Sequence, residues 1–404
     1  MRTSPYRLAI VNSHPIQYFA PLYRRIAQEP GIDLTVYYCS REGVDEYVDP
    51  GFGQRIKWDI SLLDGYRYQF LPNWRQGNRP GGIASMVNPA IAAEIWRHRY
   101  DAIWVHGHNC LTHLLAIAAA KLTGTLVMMS CDTTLLRQRK LLKRILRQPL
   151  MTIFYIACDA CLAVGTRNAQ YYRRHGVSER KLFRVPYSVD NDFFISSAER
   201  YRKDVDATKR ELGIATDRPV ILYASKLVRR KRPMDLLQAY HRLIAQRIEA
   251  TLLFVGSGAE EEELRAYSAH HELRDVHFLG FRNQTVLPLF YALADIFVLP
   301  SVDEPWGLVI NEVMCASLPV IATDVVGAAA DLVRHSENGF LFRPGDLGEL
   351  SSYLAQLCSD RGMCRKMGAR SLEIIRGWSY EQCVEGLSAA MRIQIRPRAP
   401  MPPL

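Results

Sequence analysis

The sequence predicts an α/β protein of two domains, each built on a parallel sheet covered by helices on both faces. Three observations carry that expectation. The 404 residues are more than one hydrophobic core usually organises and fit two domains of ordinary size. Short apolar runs of strand length alternate with helical patterns along the whole chain, a rhythm that argues for parallel strands joined by crossover helices. Two such series are separated by a polar, charged stretch, residues 196–217, that is poor in large apolar side chains.

The first series opens at residues 8–11, Leu-Ala-Ile-Val, which the short N-terminus reaches without a signal-peptide pattern. It continues through 34–38, 102–105, 125–129 and 161–164, runs too short for a core helix and rich in the residues strands favour. A helix is expected from Pro89, with Asn88 as its cap, because proline suits the first helical position. The second series runs through 219–224, 250–255, 276–279, 295–299 and 319–322, and Pro233 is placed to begin a helix after its first strand. The expected domains are then 1–195 and 196–378, with 196–217 as linker. A final helix near 379–393 is expected to pack back across the first domain, and the Pro-rich end, 396–404, to be disordered.

Composition narrows the functional classes. No apolar run approaches the roughly 20 residues a membrane-spanning helix needs. Nine cysteines, an odd number scattered through apolar segments, fit buried free thiols in a reducing compartment better than a disulfide framework. A cytoplasmic location is expected. Cys158 and Cys161 have the spacing of a redox motif, but they sit where a helix runs into a strand and read as structural thiols. The net charge of +10 and pI near 9.1 point to anionic substrates, an anionic membrane surface or nucleic acid. Arg137, Arg139, Lys140, Lys143, Arg144 and Arg147 alternate with leucines and an isoleucine and have no acid among them. They describe either a basic amphipathic helix suited to the inner face of a membrane or an ordinary solvated helix face. Nucleic-acid binding is the reading from another class; against it, the basic residues are not interleaved with stacking aromatics.

The most informative segment is 301–312, Ser-Val-Asp-Glu-Pro-Trp-Gly-Leu-Val-Ile-Asn-Glu, which sets two carboxylates eight positions apart after an apolar strand. Glu304 is expected in the crossover loop and Glu312 about a turn and a half inside the following helix. The free amides of Gly307, Leu308 and Val309 would favour an anion such as a phosphate. Acids beside an anion site fit a ligand carrying both hydroxyls and phosphates, a nucleotide sugar for example. The loop after strand 219–224, Ser225-Lys-Leu-Val-Arg-Arg-Lys-Arg-Pro233, carries five basic residues where an open α/β sheet usually binds its ligand, and could neutralise a diphosphate. Gly256 and Gly258, after the next strand, allow close backbone approach to a ligand or simply mark a turn.

These motifs resemble those of the retaining GT-B glycosyltransferases of the family-four type, the glycosyl transferases group 1. Glu304 and Glu312 match the family's E-x7-E pair, and 226–231 matches its basic loop. The likeness extends through Phe254-Val-Gly-Ser-Gly258, Phe278-Leu-Gly-Phe281, Asn338-Gly-Phe-Leu341 and Pro344-Gly-Asp346, covering most of 180–350. The first half resembles the family more loosely, chiefly through Asp101-Ala-Ile-Trp-Val-His-Gly-His108.

The resemblance implies a GT-B fold, two Rossmann-like domains facing across a cleft, and transfer of a sugar with retention from a nucleotide-diphosphate sugar to an acceptor hydroxyl, in glycan, polysaccharide or glycolipid biosynthesis. It assigns Lys226 and Lys231 to the donor diphosphate, Glu312 to the ribose, Glu304 to the donor sugar, Phe281 to the side of the base and His108 to the sugar near the reacting carbon. It implies no cofactor beyond the donor and no bound metal, in keeping with a sequence whose basic and acidic loops carry no Asp-x-Asp and which shows no obvious His/Cys ligand cluster. The acceptor would be a glycan or a lipid-linked molecule. The chain departs from the pattern at Ser225 and Lys226, where Gly-Arg is usual, and at Tyr187-Ser188 and Trp306. It also departs in its first loop, Asn12-Ser-His-Pro-Ile-Gln17, where the usual glycines are replaced. There His14 and Gln17 contact the acceptor or form a capped turn. A nucleotide-sugar epimerase would share the architecture and the donor but would need no acceptor.

Overall fold

The computed structural model describes residues 4–75, 82, 84–108, 110–136 and 141–394, with 141–147 by backbone. Two all-parallel sheets and one small antiparallel hairpin hold the strands. The first sheet is built from β1 (Tyr6–Asn12), β2 (Ile32–Tyr38), β5 (Arg67–Phe70), β6 (Ala102–His106), β7 (Leu126–Ser130), β8 (Ala160–Ala163) and β9 (Leu182–Arg184). Its helices are α1 (Phe19–Ala27), α2 (Ala90–His98), α3 (Leu111–Leu122), α4 (Leu141–Ala157) and α5 (Thr166–Arg174). Between β2 and β5 lies the hairpin of β3 (Tyr47–Asp49) and β4 (Gln54–Ile56).

The second sheet contains β10 (Val220–Ala224), β11 (Thr251–Val255), β12 (Val276–Phe278), β13 (Ile296–Leu299), β14 (Val320–Thr323) and β15 (Gly339–Phe342). Around it run α6 (Asn191–Arg202), α7 (Val205–Glu211), α8 (Pro233–Ala245), α9 (Glu261–His270), α10 (Leu287–Leu293), α11 (Leu308–Cys315), α12 (Ala329–Leu332), α13 (Leu347–Ser359) and α14 (Arg361–Ile375). The last helix, α15 (Tyr380–Gln394), belongs to the first unit.

The strand orders are β5-β2-β1-β6-β7-β8-β9 and β12-β11-β10-β13-β14-β15. Both wind outward from the first strand, reverse, and wind the other way, which is the Rossmann arrangement. Each sheet has its own core. Ile103, Val105, Val127 and Tyr155 are buried in the first, and Tyr223, Leu236, Phe254 and Val298 in the second. The central strands are largely apolar along their length because helices cover both faces.

The two units are 1–45, 61–186 and 380–404 on one side, and 46–60 with 187–379 on the other. This differs from the expected boundary at 195/196 in two respects. The stretch 196–217 is largely helical and belongs to the second unit. Asp190 caps α6 by accepting from the Phe193 amide at 3.0 Å, and Phe194 and Ala198 are buried on a face that meets α10 and α11. Its charged residues are the outer face of an amphipathic helix. The hairpin segment 46–60 also joins the second unit although it lies deep within the first half of the sequence.

Asn88 does not cap α2 with its side chain. Its Nδ2 donates to the carbonyls of Cys39 and Leu71, and its Oδ1 accepts from Thr112 Oγ1 at 2.8 Å. Cys158 and Cys161 are buried, and burial pushes the thiol of Cys158 up to about 12 and that of Cys161 higher still, which suits structural thiols and not a redox pair. The Pro-rich end 396–404 lies outside the described residues.

The packing of α15 depends on one close approach. A Cβ at Gly386 would stand 1.9 Å from the carbonyl oxygen of Arg184 in β9, so this helix lies on the sheet edge at backbone contact. Tyr380 Oη donates to the Tyr18 carbonyl at 3.2 Å, and Gln394 Nε2 to the Arg180 carbonyl at 2.7 Å, fixing both ends. Gly386→Ala is expected to cost about 1–3 kcal/mol by overpacking, read as a lower urea midpoint. An unchanged midpoint would show that the helix is free to move off the sheet.

Candidate functional site

The loops that follow parallel strands all emerge on one edge of a sheet, and the place where strand order reverses leaves room for a ligand between them. In the second sheet that reversal lies between β10 and β13. The loop after β10 carries Lys226 and Lys231, and the loop after β13 carries Glu304. Gly256 and Gly258 follow β11, and Phe281 follows β12 on the same edge.

The basic loop is tied down at several points. Tyr223 Oη donates to the Lys226 carbonyl at 2.8 Å, and the Leu227 amide to the Ser257 carbonyl at 2.9 Å. Arg229–Lys231 forms a single 3₁₀ turn, and Arg232, at φ 51°, turns the chain into α8 at Pro233. The glycines of the next loop make this packing possible. A Cβ at Gly256 would lie 2.0 Å from the Ser225 carbonyl oxygen, and one at Gly258 2.4 Å from that of Leu227. The close approach these glycines serve is therefore to the neighbouring loop.

The acidic loop is held as firmly. The Gly327 amide donates to the Glu304 carbonyl and the Ala328 amide to that of Trp306, both at 2.9 Å. Trp306 Nε1 donates to Asn311 Oδ1 at 3.0 Å, whose Nδ2 donates to the Tyr187 carbonyl at 3.0 Å. Two positions that depart from the family pattern, Tyr187 and Trp306, thus meet through Asn311, and their rings stand edge to face at 5.9 Å. Gly307, at φ 98°, begins α11, so the amides of Gly307, Leu308 and Val309 stand at the positive end of that helix without acceptors inside it.

The two glutamates are held differently. Glu312 lies within α11, almost wholly buried, and accepts a hydrogen bond from Tyr291 Oη. Glu304 Oε2 is in contact with Lys231 Nζ and lies 3.9 Å from Arg230 Nη1. Burial first, then the charges of Arg230 and Lys226, pushes Lys231 down to about 7, with Asp303 pulling the other way. The contact with the Glu304 carboxylate favours the ammonium form, so proton and charge at this buried position belong to the pair.

Lys226 is also engaged, by a partner that sequence reasoning missed. Its Nζ lies 2.7 and 2.9 Å from the two carboxylate oxygens of Asp49, in the hairpin segment, and 4.6 Å from the centre of the Phe52 ring. Burial works to raise the pKa of Asp49, but Lys226 and the amides of Phe52 and Gly51 outweigh it and hold it below the usual carboxylate range. The segment is pinned along its length. Ser257 Oγ donates to the Phe52 carbonyl at 3.0 Å, and the Thr285 amide to Asp59 Oδ2 at 3.2 Å. Phe52 and Trp58 stand against Phe281, ring centroids 4.8 and 6.4 Å away. Both lysines thus hold carboxylates, and Phe281 holds aromatic rings. The only local signal is Asp49-Pro-Gly-Phe-Gly53, which reads as a turn; its partner lies 177 positions away.

In the first unit, His14 and Gln17 follow β1 and His108 follows β6, the two strands at that sheet's own reversal. His14 Nδ1 lies 2.8 Å from Ser13 Oγ, and burial pushes its pKa to about 4, so it is neutral at neutral pH. Gln17 is half-buried. His108 stands against Phe154 and Tyr155, at ring distances of 5.4 and 5.9 Å. His106 is packed more deeply, between Tyr23 and Ser130, and burial takes it to about 3.

Comparison with known proteins places this arrangement. A model of the family Glycosyltransferase Family 4 matches residues 18–193, and one of Glycosyl transferases group 1 matches 204–373. The chain belongs to the family of glycosyl transferases group 1 and has the GT-B fold. Among its relatives is the N-acetyl-alpha-D-glucosaminyl L-malate synthase of Bacillus anthracis, 30% identical over 47% of this chain and 48% of that one. Another is the GDP-mannose-dependent monoacylated alpha-(1-6)-phosphatidylinositol monomannoside mannosyltransferase of Corynebacterium glutamicum, 33% identical over 52% and 56%. The chain spans about half the length of these relatives. Among solved structures, Anabaena Alr3699/HepE in complex with UDP is similar in fold with a TM-score of 0.73 at 18% identity, over 96% of this chain and 99% of that one.

In this member of the family the engaged Lys226 has a measurable consequence. Removing the Asp49 carboxylate leaves an ammonium ready for an anion, so Asp49→Ala is expected to bind pyrophosphate about tenfold more tightly by calorimetry, a change of about 1.4 kcal/mol. Equal or weaker binding would show that the carboxylate does not compete for the site.

Proposed function

We propose that this protein is a retaining glycosyltransferase that moves a sugar from a nucleoside-diphosphate sugar to an acceptor hydroxyl in glycan or glycolipid assembly. The observation that carries the reading is the pair of engaged lysines at the β10/β13 reversal, beside the N-terminus of α11 and in company with Glu304 and Glu312. Each lysine holds an oxyanion of the protein's own, and a diphosphate offers the same kind of oxygen. The Anabaena protein was solved in complex with UDP, and the Corynebacterium relative is named as GDP-mannose-dependent, which supports a nucleoside diphosphate as donor moiety and leaves the base open. Relatives named for transfer favour this reading over an epimerase.

In the proposed reaction, Lys226, Lys231 and the α11 amides neutralise the diphosphate as it leaves, an interaction that strengthens as negative charge develops. The bond from the anomeric carbon to the phosphate oxygen breaks, the acceptor oxygen bonds to that carbon on the same face, and the acceptor proton passes to the departing phosphate oxygen. Glu304 exchanges Lys231 for the sugar hydroxyls and orients the ring; Glu312 binds the ribose. His108 contributes to the sugar, Phe281 to the base, and His14 and Gln17 to the acceptor.

The reading predicts different losses at the two glutamates. Glu312→Ala should weaken binding of free nucleoside diphosphate and of the intact donor alike. Glu304→Ala should leave nucleoside diphosphate affinity nearly unchanged while lowering turnover about 100-fold or more, because a contact made only with the reacting sugar is lost from the transition state. Calorimetry together with steady-state rates separates the two. The opposite pattern would exchange the assignments, and no thermal shift with any nucleoside diphosphate would overturn the donor class.

We also propose that the acceptor is met at an anionic membrane. Leu150, Ile153 and Ile156 make an exposed apolar stripe along α4, and Lys143, Arg144 and Arg147 lie in the same helix, their side chains outside the described residues, while Arg137, Arg139 and Lys140 lie outside them altogether. Among the described residues no helix is long and apolar enough to cross a membrane, so association would be peripheral. Co-sedimentation with phosphatidylglycerol vesicles at low salt is expected, with loss in Leu150→Ser/Ile153→Ser; equal binding to neutral phosphatidylcholine vesicles would point to a soluble acceptor.

A further inference from the structure

In the first unit, just past His108 in the chain and separate from the lysines and glutamates of the second unit, three ligand-bearing side chains converge. Cys39 follows the end of β2, Cys110 is the residue that opens α3, and His113 lies in the first turn of α3. All three are buried, and their sulfur and ring-nitrogen atoms lie within 4.8 Å of one another. Met86 completes the small buried cluster with the two cysteines. Neither cysteine is in a disulfide.

We propose that Cys39, Cys110 and His113 form a binding site for one thiophilic d¹⁰ metal ion, Zn²⁺ or Cu⁺. Four observations support it. The ligand types are those such ions select, thiolate and imidazole, with a thioether alongside. Their separations, none above 4.8 Å, exceed by no more than about 1 Å the roughly 3.5–4 Å between ligand atoms of a tetrahedral or trigonal centre with metal–sulfur bonds of about 2.3 Å and metal–nitrogen bonds of about 2.0 Å, so a small side-chain adjustment closes the site. Neither ring nitrogen of His113 makes a well-formed hydrogen bond among the described residues although the side chain is buried; the Cys110 thiol is the polar group beside it, and a buried imidazole so poorly satisfied needs an explanation. A bound ion supplies one for the nitrogen it takes.

The fourth observation is that the backbone carrying the ligands is pinned. Asn88 Nδ2 donates to the Cys39 carbonyl at 3.2 Å, the Asn88 amide donates to Thr112 Oγ1 at 2.9 Å, and Thr112 Oγ1 lies 3.1 Å from the Met86 carbonyl. This network links the end of β2, the segment at Met86 and the first turn of α3 before any ion arrives, the kind of outer support that orients metal ligands. It also accounts for an asparagine buried where a helix cap was expected.

The charge balance suits a dry core. Zn²⁺ displaces the protons of both thiols, and two thiolates with a neutral imidazole leave the site uncharged. Cu⁺ reaches the same neutrality by displacing one proton, with the second thiol as a neutral neighbour. In either case the ion ties β2 to α3 behind the loop that carries His108, making its role structural. The sequence shows no clustered ligands because Cys39 lies 71 positions from Cys110 and only the fold joins them.

The test uses the whole 404-residue chain, reduced with a phosphine, stripped with a chelator and offered Zn²⁺ or Cu⁺ separately. One equivalent of one of these ions should stay with the protein through gel filtration and raise its melting temperature. Cys110→Ser and His113→Gln should weaken retention by about 100-fold or more, beyond the 10- to 100-fold typical of lost outer-shell partners. Cys158→Ser/Cys161→Ser should retain the ion fully. Because a core variant can fail to fold, wild-type protein is also titrated with Co²⁺, and a thiolate-to-cobalt absorption band saturating at one equivalent is expected. Retention of zinc alone or copper alone names the ion. No stoichiometric retention and no cobalt band, or equal retention in folded Cys110→Ser, would overturn the proposal.

Discussion

A parallel sheet can be wound only by returning the chain to the same end before every strand, and the site in the second unit depends on that constraint. The crossover puts every strand-to-helix loop on one edge, and the reversal between β10 and β13 sends the connecting helices to opposite faces, so the loops on either side are not forced together. Basic residues on one loop and acidic residues on the other then meet across the reversal, as Lys231 and Glu304 do. Gly256, Gly258 and Gly327 let the supporting backbones approach to distances that a Cβ would forbid, which makes the loops rigid where their charged tips must be placed.

Much of the frame was legible because it rests on local pattern. Each expected strand in both series is a strand, to within a residue or two, since buried parallel strands are continuously apolar and bounded by breakers. Pro233 begins α8 and Gly307 begins α11, as their turn chemistry implies. The positions where pattern misleads are those where tertiary contacts outweigh local preference. The charged stretch 196–217 resembles a linker because a helix buried on one narrow face carries few large apolar residues. Asn88 resembles a cap because nothing nearby in sequence shows that its amide is needed by the Cys39 and Leu71 carbonyls. Short strands β5 and β9, at the two edges of the first sheet, have too few apolar residues to announce themselves.

The candidate site was legible as a set of spacings and not in its packing. Motif spacing singles out Lys226, Lys231, Glu304 and Glu312 as candidates, but not that Lys231 is buried against Glu304 or that Lys226 carries an aspartate from elsewhere. A buried cation must have a counter-charge, so charge pairing was to be expected in general. Which acid supplies it is a property of the fold. The same reasoning applies to the aromatic group at Phe281, whose partners Phe52 and Trp58 arrive on the hairpin segment.

That segment has a consequence for how the chain is made. The polypeptide passes between the two units four times, at 45/46, 60/61, 186/187 and 379/380, so neither unit is a contiguous stretch. On a ribosome, the hairpin of β3 and β4 emerges long before the strands of the second sheet exist, and the first sheet waits for α15, which is among the last elements synthesised. Neither unit can be completed before nearly the whole chain has been translated. Folding that elsewhere proceeds domain by domain is here coupled across the sequence, and a fragment cut at residue 186 would carry an orphaned hairpin and lack its closing helix.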